Sequence, residues 1–88
     1  DETSRGLGDV YKRQLDDRII KLLEERFSIS KEIGKIKLNS ESAILDKNRE
    51  REIINRLNMN TKIISKESVD MIYQNIFKVS REIQSIKK

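Results

Sequence analysis

The sequence predicts an all-α fold of three helices, one long, one short and one of medium length. Three observations carry this. Apolar residues recur in steps of three and four over long stretches, the spacing that places them on one helix face. The 88 residues hold no proline and three glycines, too few for a turn-rich β fold. Charged residues are 39% and apolar ones 35%, which suits long amphipathic helices better than a compact sheet protein. The length allows one domain at most, with a small core of its own.

The longest periodic stretch is Leu15 to Lys37. Its seam runs Leu15, Ile19, Leu22, Ile29, Ile33, Ile36, and a second stripe (Ile20, Leu23, Phe27) widens the apolar face. Between Leu22 and Ile29 the next seam position holds Arg26, a cation that is costly to bury unless an anion meets it. Lys37 follows three turns later, about 20° round and roughly 16 Å along the axis. Two cations on one inward-leaning face suggest a site for an anion with more than one charged group. The first helix is expected from about Asp9 or Val10 to about Leu38, a length of about 40 Å. The other two helices of one chain can hardly cover that. Ser30 and Gly34 leave room for close packing, and a glycine in a helix interior costs about 1 kcal/mol relative to alanine.

Residues 1–14 lack the apolar period, and Gly6 and Gly8 are expected to break any helix there. The expected organisation is therefore a non-native or disordered leader over 1–14 and a helical domain over 15–88. Residues 39–45 form a linker, after which Asp46 is an N-cap for a helix from about Lys47 to Asn58. Its inner face is Ile53, Ile54 and Leu57. A polar stretch from Asn58 to Lys62 breaks the pattern. Ser65 then caps a third helix, from about Lys66 to Ile86. The seam of this helix is Val69, Ile72, Ile76, Val79, Ile83 and Ile86. Beside it runs a row that begins aromatic and ends polar: Tyr73, Phe77, Ser80, Gln84.

Composition excludes several chemistries. With no cysteine and no histidine there are no disulfides, no Cys/His zinc sites, no thiol nucleophile and no histidine base. The formal charge of +4 is spread among 15 acids without a continuous basic stripe, so nucleic acid is not an expected partner. No apolar run approaches the length of a membrane span, and no signal-peptide core is present. A cytoplasmic protein without membrane partners is expected.

Arg26, Lys37, Ser80 and Gln84 lie on or beside packing faces, while Asp46, Arg49 and Glu50 share about one turn at the start of the second helix. Each has a plain structural reading. Arg26 can extend its guanidinium to solvent or pair with a glutamate. Lys37 suits a helix C-terminus. Asp46 is a cap, and Arg49 and Glu50 suit a solvated face. Ser80 and Gln84 suit the polar flank of a coiled coil. Their combination is less easily dismissed than any one of them.

The strings LDxxIIxLLxER, EIGKIK, LDxxRE and SREIQ together resemble the all-α (AroQ-type) chorismate mutases, over about residues 15–84. The resemblance implies an intertwined homodimer of three-helix chains that converts chorismate to prephenate, a step towards phenylalanine and tyrosine, with no cofactor. It implies that Arg26 holds a substrate carboxylate. Lys37 would reach a carboxylate and the ether oxygen, and Gln84 the ether oxygen. Glu50 and the Asp46 region would meet the ring hydroxyl, with Arg49 in the same cluster and Ser80 near a carboxylate. One departure stands out. The family places an arginine in the first turns of helix 1 that crosses into the partner's site, and here that register position is Asp9. Arg5, Lys12 and Arg13 lie nearby, none in register. Two alternatives stay open: an isochorismate pyruvate lyase on the same fold, and a non-catalytic helical dimerisation or regulatory module.

Overall fold

The computed structural model describes residues 2–37 and 46–85, with side chains described for 6–36 and 46–85. These residues form α1 (Glu2–Lys37), α2 (Lys47–Asn58) and α3 (Lys66–Gln84), and among them there is no strand. The shorter helices start where their caps dictate. The Asp46 carboxylate accepts from the Arg49 backbone N–H at 3.1 Å, and the Ser65 hydroxyl accepts from that of Ser68 at 3.1 Å. Both cap residues are extended, so their side chains reach back over N–H groups that have no partner inside the helix. Position 86, the expected end of the third helix, and the linker over 39–45 lie outside the described residues.

α1 begins earlier than the sequence suggests. It runs unbroken through Gly6 and Gly8 back to Glu2, which corrects the expectation that these glycines break it. Glycine lowers helix stability by about 1 kcal/mol, yet it keeps its N–H and adopts helical dihedrals freely. No glycine here has a positive φ. From Asp9 to Leu22 every side chain of α1 is exposed, so this part of the helix runs clear of α2 and α3.

The long helix sets the shape. The molecule measures 57 × 29 × 15 Å with a radius of gyration of 16.6 Å. A compact chain of this length would have about 12 Å. α3 is the hub: it packs against both α1 and α2, whereas α1 and α2 do not approach each other closely. The gap left between them, with α3 as its floor, is the main feature of the fold.

The buried apolar core is Ile54, Val69 and Phe77, with Ile53, Leu57 and Tyr73 packed against it. Tyr73 and Phe77 meet edge to face, with centroids 5.7 Å apart. The expected inner face of α2 is thus the observed one. On α1 the two apolar rows exchange roles, whereas on α3 both rows contribute to the packing. The α1 row facing α3 is Leu23, Phe27, Ser30 and Gly34, while the seam residues Leu15, Ile19, Leu22, Ile29 and Ile36 are exposed, Leu22 at 62% and Ile36 at 76%. On α3 the row Tyr73, Phe77, Ser80 and Gln84 turns inward together with Val69 of the seam; Ile76 and Ile83 are half-buried, and Ile72 and Val79 stay exposed. Periodicity marks both faces as apolar but cannot say which one meets the chain's own helices.

The cap analysis gives an opposed pair of outcomes. Ser65→Ala should cost about 1 kcal/mol in chemical unfolding through loss of the α3 cap. Ile63→Ser, in the same turn but 98% exposed, should stay within about 0.5 kcal/mol of wild type.

Candidate active site

Three helices lend residues to the gap. α1 supplies Arg26, Ile29, Ser30 and Ile33; α2 and its cap supply Asp46, Arg49, Glu50 and Ile53; α3 supplies Phe77, Ser80, Arg81 and Gln84. They line an open cavity of about 300 Å³, at the low end of the range of small-molecule sites. The chain arrives there by helical spacing. Arg26 and Ser30 are four residues apart on α1, and Ser80 and Gln84 are four apart on α3, so each pair shares one face. Asp46, Arg49 and Glu50 occupy the cap and first turn of α2, where backbone N–H groups add positive potential.

Arg26 is held from three sides. Its Nη1 donates to Ser80 Oγ at 2.8 Å. Its guanidinium carbon lies 6.0 Å from the Tyr73 ring centroid and 5.7 Å from that of Phe77, within cation–π range. None of these groups is an anion, and no carboxylate among the described residues pairs with Arg26. The cation is half-buried and bordered by a cavity.

Ser80 and Ser30 are both buried, and their hydroxyl oxygens lie 3.2 Å apart. Ser30 Oγ is also 3.3 Å from the Arg26 carbonyl. One hydroxyl carries one proton, so Ser30 cannot donate to both at once. If Ser30 donates to the carbonyl, Ser80 donates to Ser30, and a closed ring runs from guanidinium to Ser80 to Ser30 to the Arg26 backbone. If Ser30 donates to Ser80 instead, the Ser80 proton is released towards another acceptor.

Gln84 takes its place through Gly34. A Cβ at position 34 would lie 2.7 Å from the Gln84 Cα and 2.7 Å from its carbonyl oxygen. The α3 backbone therefore approaches α1 at a distance only glycine permits. This explains the low-propensity residue inside α1 and fixes the height of Gln84 on the cavity wall. Across the cavity, Arg81 Nη1 donates to Glu50 Oε2 at 2.7 Å, joining α3 to the first turn of α2.

Arg26, Asp46, Arg49, Glu50, Ser80 and Gln84 thus converge on one cavity. Lys37 closes α1, and its side chain lies outside the described residues. Two further polar residues that the sequence does not mark as site residues line the cavity. Ser30 has the spacing of a packing residue, although its four-residue offset from Arg26 is a signal. Arg81 gave none, because a charged residue following Ser80 looks like an ordinary solvated position. The described residues include no cluster of three acids suited to a metal ion, and no helix is long and apolar enough to cross a membrane.

Glycine contacts yield a second opposed pair. Gly34→Ala should lower stability by about 1–3 kcal/mol by forcing α1 and α3 apart. Gly8→Ala, with nothing within 4 Å of its Cβ, should raise stability by up to about 1 kcal/mol. Thermal or chemical unfolding of the two variants checks both signs.

No curated protein matches the chain significantly. A family model described as chorismate mutase type II matches residues 13–85. That match spans most of the sequence and every cavity residue named above. The chain belongs to the chorismate mutase type II family.

Proposed function

We propose that this chain catalyses the rearrangement of chorismate to prephenate. The observation that carries the reading is Arg26, a half-buried cation that borders the cavity and has no carboxylate partner among the described residues. A dicarboxylate substrate would complete it. Arg49 and Lys37 would supply further cations, and Ser80, already bonded to Arg26, would steer the same carboxylate.

The reaction suits the residues available. In one concerted six-electron step, the ether C–O bond of the enolpyruvyl side chain breaks as a C–C bond forms between that side chain's methylene and the ring. No proton, electron pair or group leaves the molecule, so no nucleophile, general base or cofactor is called for. Two contributions remain for the protein. Holding both carboxylates selects the folded conformer in which the carbons meet. Donors at the ether oxygen, Gln84 with Lys37, stabilise the negative charge that builds as the C–O bond opens. Glu50 and Asp46 would receive the ring hydroxyl.

The same reading calls for a second copy of the chain. The core holds three buried apolar residues, while Leu15, Ile19, Leu22, Ile29 and Ile36 stay exposed along α1. An exposed apolar stripe on a helix is costly in water, and a helical partner would cover it. We propose an intertwined homodimer acting in the cytoplasm. The domain proper would be 15–88, with 1–14 a leader foreign to it.

Incubation with chorismate and identification of the product tests the function. Prephenate should form, and Arg26→Ala should lower kcat/KM by about 100-fold or more through lost orientation. Pyruvate with salicylate from isochorismate, and no prephenate, would instead indicate the lyase. A pH series tests Gln84. Ionised Glu accepts but cannot donate, whereas protonated Glu carries one O–H donor. Gln84→Glu should therefore lose about 10²–10³ in kcat at neutral pH. It should recover as pH falls towards the ordinary Glu range near about 4.3. A flat profile contradicts the donor role.

A further inference from the structure

Arg81 lines the cavity but has no part in the reaction scheme above. It makes the one side-chain hydrogen bond between α2 and α3 among the described residues, Nη1 to Glu50 Oε2 at 2.7 Å. That length is typical of a charge-assisted bond. The pair is sheltered, with the Arg81 side chain 30% exposed and that of Glu50 15%. Glu50 has no other side-chain partner among the described residues.

We propose that Arg81 is a positioning residue for the mutase reaction, acting by holding the Glu50 carboxylate at the cavity wall. The inference rests on the mutase reading. A glutamate side chain has three rotatable bonds, and fixing it costs entropy that a bound substrate would otherwise have to supply. The Arg81 contact fixes it beforehand. Docking of α2 on α3 does not need the ion pair, since Ile54, Val69 and Phe77 already bury an apolar contact there. Arg81 uses its Nη1 on Glu50, leaving the second carboxylate oxygen to accept from a hydroxyl of the substrate. Loss of Arg81 would leave a sheltered carboxylate uncompensated and free to leave the wall for solvent. The role belongs to residue 81 through its neighbour, and Arg81 itself need not touch the substrate.

The test compares wild type, Arg81→Gln, Arg81→Lys, Glu50→Gln and the Arg81→Gln/Glu50→Gln double variant by chorismate turnover, with circular dichroism and melting temperature alongside. Arg81→Gln should lose tenfold or more in kcat/KM while staying folded. The double variant should match Glu50→Gln alone, because the two residues act as one unit. Arg81→Lys, which keeps the charge without the fork, should retain more activity than Arg81→Gln, and it decides the matter if Arg81→Gln fails to fold. Losses that multiply in the double variant overturn the proposal. So does an Arg81→Gln protein that melts earlier but turns over within twofold of wild type per folded chain. A wild-type chain without turnover overturns the mutase reading and this role with it. An active wild type with an indifferent Arg81 overturns only the role.

Discussion

The structure depends on how Arg26 is kept. A guanidinium at a seam position of α1 would ordinarily be excluded from a packing face. Here two aromatic rings and a buried hydroxyl accept it. Those partners are three successive members of one row on α3: Tyr73, Phe77 and Ser80. None of them is charged. Among the described residues the cation is thus solvated without being neutralised, as the proposed binding of an anion requires. A glutamate at position 80 would turn the same packing into a structural ion pair.

The gap that Arg26 borders follows from topology. α3 alone joins the other two helices, so α1 and α2 stand apart as the side walls of a cleft. Gly34 sets the depth of that cleft by letting the Gln84 backbone settle against α1. At the other wall, the Asp46 cap fixes where α2 starts and hence where Arg49 and Glu50 project. Small local choices, one glycine and one cap, therefore govern a geometry spread over three helices. The cost of this open plan is a thin core. Much of α1 projects beyond α2 and α3, with its apolar seam uncovered.

What could be read in the sequence divides along physical lines. Local signals were legible: Asp46 and Ser65 are the observed caps, and Ile53, Ile54 and Leu57 form the observed inner face of α2. These depend on neighbours within a turn or two. Gly6 and Gly8 misled because glycine lowers helix propensity without forbidding the helix, and the sequence alone could not weigh that against the rest of α1. The choice between the two apolar rows of α1 was not legible, since both rows have helical spacing. Tertiary packing decides between them, and it put the row with Leu23, Phe27 and Ser30 against α3. The convergence of Arg26, Asp46, Arg49, Glu50, Ser80 and Gln84 on one cavity was suggested by family resemblance, not by spacing within any one helix. Arg81 stayed hidden because its meaning lies in a partner 31 residues away.

The central claim is that a cation left uncompensated beside the cavity is there for a dicarboxylate. Calorimetric titration with a stable bicyclic dicarboxylate, shaped like the folded conformer of the substrate, measures this without depending on turnover. The account predicts binding of one ligand per chain, weakened by added salt and lost on Arg26→Ala. Absence of binding, or binding that Arg26→Ala leaves unchanged, would contradict it.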